Sequence, residues 1–144
     1  MAAYTNGVLY EINSTAANVP LSSVSTDDAW IGRSQFGVDP LLKAEIDELR
    51  IYNGVLYADE IKATDVLGTG QLLADSATLS VSRSGNNLVI TWPLASAGFS
   101  LQSRSSLISG SWQAVTTTPQ LVSNTYWQVT VPITGTAQFF RLVK

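Results

Sequence analysis

An all-β chain interrupted by one short helix is what this sequence specifies. Apolar and polar residues alternate with period two in two long runs. Gly, Pro, Asn and Ser recur between the alternating pieces, and only the stretch near residues 58–64 has helical spacing. With 144 residues, of which 45% are hydrophobic, there is enough apolar material for one ordinary core or two small ones.

The first predicted element is a hairpin. Ala3-Tyr4-Thr5 and Val8 to Ile12 flank Asn6-Gly7, a pair suited to the two positive φ angles of a type I′ turn. Strands follow at Ala29-Trp30-Ile31-Gly32 and at Glu45 to Tyr52, separated by the turn signal Gly37-Val38-Asp39-Pro40. After Asn53-Gly54, the run from Ala58 to Ala63 places two acids in a first helical turn with a lysine behind them, which suits the helix dipole. Gly68-Thr69-Gly70 then ends the pattern. The boundary between two modules is expected in residues 68–75, with a first module over 1–67 and a second over 76–144.

The second module reads as six short strands. They lie at Thr78 to Arg83, Asn87 to Trp92, Phe99 to Arg104, Trp112 to Thr117, Tyr126 to Val131 and Gln138 to Val143, and such even spacing predicts a small sandwich. Alternation puts Leu88, Ile90 and Trp92 on one face, and likewise Phe99 with Leu101, Trp127 with Val129 and Val131, and Phe140 with Leu142. The pentapeptide NGVLY occurs at residues 6–10 and again at 53–57, but its two contexts differ and no duplication is inferred.

Composition removes several kinds of chemistry. The chain has no cysteine and no histidine, hence no thiol nucleophile, no disulfide and none of the usual zinc sites or Ser-His-Asp arrangements. The net charge of −3, with charged residues at 13%, argues against binding nucleic acid or an anionic membrane. The opening MAAYTNGVLY has neither the basic start nor the apolar run of a signal peptide, so the start is expected to be either cytosolic or cut.

Three groups of residues in the first module carry a resemblance. Tyr4-Thr5-Asn6-Gly7-Val8-Leu9, Trp30-Ile31-Gly32-Arg33-Ser34, and Ile46 to Asn53 continued through Ala58-Asp59-Glu60-Ile61 together resemble the C-terminal part of a concanavalin A-like, laminin-G-like jelly roll. Glu45 stands where that family commonly has glycine. Tyr57 stands where it commonly has a serine cap, so the capping box formed with Glu60 lacks its hydroxyl half and a weaker helix start is expected. In the second module, Leu88 to Pro93, Gly98 to Ser103, Ser111-Trp112 and Gln138 to Leu142 resemble a small fibronectin-III-like (Ig-like) domain. The resemblance implies a fragment of a secreted, extracellular bacterial protein whose earlier jelly-roll strands are missing from this chain. A half sandwich leaves strand edges and an apolar face uncovered, so the first module is expected to be completed by packing on the second or on another copy.

The acidic run EIDELR is a candidate site. Glu45-Ile46-Asp47-Glu48 begins like the Glu-Ile-Asp-x-Glu strand motif of laminarinase-type glycoside hydrolases, but Leu49 replaces the second glutamate. Glu48 falls on the opposite face, and retaining hydrolysis needs two carboxyls about 5 Å apart. No catalytic residue is assigned, and Glu48 and Arg50 are expected to pair on one face. Asp27, Asp28, Asp39 and Asp47 fall in or near turns, which makes calcium the one cofactor considered; no EF-hand-like spacing supports it, and no metal ligand is assigned.

Among the aromatics, Trp92 and Trp127 are read as core and Trp30 is left open. Trp112, at the start of a strand, and Tyr126, opposite Trp127 and facing solvent, are the candidate ligand-binding residues. The expected role is non-catalytic adhesion or carbohydrate binding, with a glycan or a protein surface as partner. The alternative is a structural or self-associating module that meets other copies through uncovered sheet edges. A glycoside-hydrolase remnant comes third.

Overall fold

The computed structural model describes residues 2–12, 30–34 and 36–144. The described residues form mostly antiparallel β-sheet with a single α-helix. The elements run β1 (Ala2–Thr5), β2 (Val8–Ile12), α1 (Ala58–Leu67), β3 (Ser80–Ser84), β4 (Asn87–Pro93), a 3₁₀ turn (Leu94–Ser96), β5 (Ser100–Arg104), β6 (Gln113–Ala114), β7 (Gln120–Val122), β8 (Tyr126–Pro132) and β9 (Phe139–Val143).

β1 and β2 form the expected hairpin. Asn6 and Gly7 have φ of 51° and 69°, as a type I′ turn demands, and the ladder runs from Thr5 opposite Val8 to Ala2 opposite Ile12. Two other expected strands are corrected. Trp30-Ile31-Gly32 forms a bend, and Glu45 to Tyr52 belongs to no ladder. The described residues offer these segments no neighbouring strand, and an extended chain without a partner cannot close backbone hydrogen bonds. Ala29 lies outside the described residues.

The second part is two sheets sharing one core. One has the order β3-β4-β8-β7 and the other β6-β5-β9. β4 and β8 make the longest pairing, seven residues from Asn87 opposite Pro132 to Pro93 opposite Tyr126. Ile90, Trp92, Trp127, Val129 and Val131 from one sheet pack with Leu101, Val115, Phe140 and Leu142 from the other. Trp92 and Trp127, directly opposed across β4 and β8, are 2% and 8% exposed, so both are core residues as their alternation predicts. Trp127 also donates its indole N–H to Leu94 O at 3.3 Å.

The strand expected over Trp112 to Thr117 is only two residues long, and Gln120–Val122 forms a strand the sequence reading lacked. Both differences have one cause. After Val115 N–H donates to Leu101 O, the chain passes through Pro119 and pairs with β8 of the other sheet. A segment changing sheets cannot continue one ladder.

Helix α1 docks on this sandwich. It runs three residues past its expected end, to Leu67, and Gly68 closes it with φ 75° and an N–H donated to Thr64 O. At its start, Glu60 accepts from the Tyr57 N–H at 2.9 Å, while the Tyr57 side chain caps nothing. One side of the helix faces the sandwich: Ala63 is 0% exposed within the core cluster, and Val66 and Leu67 pack against it. Asp59 accepts from the Gly98 N–H at 2.8 Å. Ala74 N–H donates to Ala95 O at 2.6 Å and Ser96 Oγ to Ser76 O at 3.1 Å, so residues 74–76 also lie on the 3₁₀ turn. The other side meets the hairpin, where Lys62 pairs with Asp65 and reaches Asn6 O.

Packing on the second part thus covers the helix but leaves much of the first part bare. Tyr10 is 77% exposed, Val38 93%, Ile51 90% and Val55 82%.

Candidate functional site

The acidic run resolves into a clamp. Glu48 receives a two-pronged hydrogen bond from Arg50, at 2.7 Å from Nε and 2.6 Å from Nη2. The same Nη2 donates to Gly68 O at 2.9 Å, and Gly70 N–H donates to Glu48 at 3.1 Å. The pair anticipated from the sequence therefore ties residues 48–50 to the loop beyond α1. The Arg50 guanidinium, and then the Gly70 amide, hold the Glu48 carboxyl below the usual carboxylate range. Arg50 is raised in turn, first by Glu48 and next by the Tyr52 hydroxyl. Arg50 Nη1 and Tyr52 Oη are both buried without a hydrogen bond of regular geometry, so Glu48 is the partner that matters.

Glu45, Asp47 and Asp39 are exposed. Among the described residues no three His, Cys, Asp or Glu side chains gather as metal ligands. Asp27 and Asp28 lie outside the described residues.

Tyr126 opens β8. Alternation puts it on the outer face of the four-stranded sheet, opposite the face that carries Trp127. It lines a shallow groove of about 430 Å³ with Thr78, Ser80, Thr91, Pro93 and Thr125. Its half-buried ring and the proline give an apolar floor, and four hydroxyls surround it.

Trp112 has a different environment. It precedes β6 at the edge of the three-stranded sheet, half-buried, with the Arg141 guanidinium 4.5 Å and the Arg104 guanidinium 5.3 Å from the ring centre. The register places Gln102, Arg104 and Arg141 on one face of β5 and β9, so the strands themselves bring both cations to the indole. What this face offers outward is guanidinium held on an aromatic plate. The two candidate residues thus lie on different sheets and line no common groove. Arg104 and Arg141 were not singled out by the sequence reading; a separate charge count for residues 76–144 would have drawn attention to them. Trp30 is partly exposed and carries Arg33 at 4.3 Å.

With this geometry in place, comparison with known proteins adds one relationship. A family model described as the concanavalin A-like lectin/glucanases superfamily matches residues 1–62. Neither a curated protein nor a solved structure matches the chain. The similarity covers the hairpin, the exposed segment from Trp30 onward and the first half of α1, and it ends before the sandwich. Among the described residues no helix is long and apolar enough to cross a membrane.

Proposed function

We propose that the chain is a non-catalytic, extracellular pair of β-modules that binds carbohydrate, with the Tyr126 groove as the contact surface for neutral sugars. The observation that carries this reading is the pairing of an aromatic floor with hydroxyl walls: a pyranose has an apolar face that stacks on a ring and equatorial hydroxyls that bond at the rim. The likeness of residues 1–62 to a superfamily that includes lectins supports it, and the commitment of Glu48 to Arg50 and Gly70 supports a role without hydrolysis.

The second module, over residues 76–144, is read as fibronectin-III-like or Ig-like. The order β3-β4-β8-β7 matches the A-B-E-D sheet of that architecture, and the β5–β9 pairing matches its C-F pair. β6 takes the opposite edge of β5.

A glycan array with and without calcium, repeated with Tyr126→Ala, tests the binding role. Retained neutral glycans should be lost by at least about tenfold, equivalent to about 1.4 kcal/mol, in the variant. Binding that ignores the substitution would place the contact elsewhere.

A second reading, a protein-binding or self-associating module, is favoured by the bare apolar residues of the first part. It expects sedimentation equilibrium to show a concentration-dependent oligomer with no glycan bound.

A further inference from the structure

The charge of this chain is unevenly placed. All 11 acidic residues lie at or before Asp75, and from residue 76 onward the chain has four basic residues, Arg83, Arg104, Arg141 and Lys144, and no acid. Two of the four, Arg104 and Arg141, meet on Trp112.

Both guanidiniums are fixed by neutral partners. Arg104 donates Nε to Ser106 O and Nη2 to Ser109 O, the latter at 3.1 Å. Arg141 donates Nε and Nη2 to Gln102 Oε1 at 2.9 and 2.8 Å. No carboxylate among the described residues lies within ion-pair distance of either; the pairs present are Arg50 with Glu48, Lys62 with Asp65 and Lys144 with Glu60. In each arginine Nη1 makes no hydrogen bond among the described residues. Two like charges held on one indole without a counter-ion repel each other, and an anion placed between them removes that cost.

Arg104 also lines a groove of about 450 Å³ at the end of the sandwich. Ser103, Ser105, Ser111, Gln113, Thr134 and Gln138 give its walls hydroxyls and amides. A protein interface needs aromatic or aliphatic anchors at its centre, and this lining supplies none; Leu107 and Ile108 project from the neighbouring loop outside it. Single-stranded nucleic acid needs an open aromatic plate, and the indole here already carries its cations.

We propose that the Arg104–Trp112–Arg141 face, with the polar groove beside it, binds sugars carrying carboxylate or sulfate groups. The negative group lies between the free Nη1 atoms, and the ring hydroxyls bond along the groove. This rests on the carbohydrate-binding reading above and names a second, acidic class of ligand at a separate surface.

The test is calorimetric titration of the whole chain with tetragalacturonate, with its fully methyl-esterified form, and with a panel of neutral oligosaccharides. The acid should bind. Loss of its charge in the ester, or of one guanidinium in Arg104→Gln or Arg141→Gln, should each weaken binding by at least about tenfold, as expected for a charge-assisted contact. Arg141→Lys, which keeps the charge but not the planar fork, should recover only part of the loss, and Tyr126→Ala should leave galacturonate binding unchanged.

Equal affinity for acid and ester, or full affinity in variants whose circular dichroism matches the parent, would overturn the proposal. Neutral sugars held through Tyr126 while galacturonate is ignored would overturn it and leave the earlier reading standing. If no sugar of either kind binds, both fall. Salt-sensitive self-association abolished by Arg141→Gln would assign the face to an acidic protein surface instead.

Discussion

Gly98 occupies a position that no other residue can take unchanged. Its φ is +79°, and a Cβ there would lie 2.7 Å from Cδ of the Glu60 side chain that projects from the docked helix. Its amide also donates to Asp59. Gly98→Ala therefore combines an unfavourable backbone with a collision at the joint, and should cost about 2 kcal/mol or more in urea unfolding. Glu48 supplies a pH-dependent counterpart. Its carboxyl titrates lower when folded than unfolded, so its contribution is present above the ordinary value of 4.5 and is lost as pH falls through the lowered folded value. Thermal melts followed from neutral to acid pH should show parent and Glu48→Gln converging below about pH 4.5; a constant gap would remove the clamp from the account.

At the level of elements, legibility followed whether a segment carried its own local signal. The β1–β2 hairpin was readable because Asn6-Gly7 dictates its own turn. β4 and β8 were readable because Ile90, Trp92, Trp127 and Val129 alternate cleanly between two faces. β7 was not, since Gln120–Val122 has no alternating run of its own and is a strand only because β8 lies alongside. The end of α1 is likewise set by packing. Thr64 and Val66 are indifferent helix formers, and the sandwich retains them by burying Ala63, Val66 and Leu67 beside them. Ala63→Leu should then overfill the joint and lower stability by roughly 1–3 kcal/mol, read from the urea midpoint. An unchanged midpoint would mean that the helix can slide away from the sandwich without loss.

On the scale of the molecule, the proposed boundary at residues 68–75 separates two sequence patterns, whereas the core cluster draws on residues from both sides of it. Residues 58–144 expressed alone should accordingly resist protease better, and melt higher, than residues 76–144, which lack Ala63, Val66, Leu67 and Leu73. Equal behaviour would make the helix a passenger. The candidate surfaces were legible only in part. Tyr126 and Trp112 could be named because aromatics outside the core pattern stand out, yet the hydroxyls around Tyr126 come from three separate segments. Of the cations on Trp112, Arg104 comes from the preceding strand but Arg141 comes from β9, far along the chain, and a net charge of −3 conceals a basic second half.

The hydrogen bonds of Asp59 to Gly98 and of Ala74 to Ala95 fasten both ends of one strap, residues 58–76, to the same 3₁₀ corner. Mechanical tension between the first part and the sandwich must therefore pass through this short buckle before it reaches the seven-residue ladder of β4 and β8. Under stretching, the buckle should give way first, sparing the sheets and letting the joint lengthen as a shock absorber.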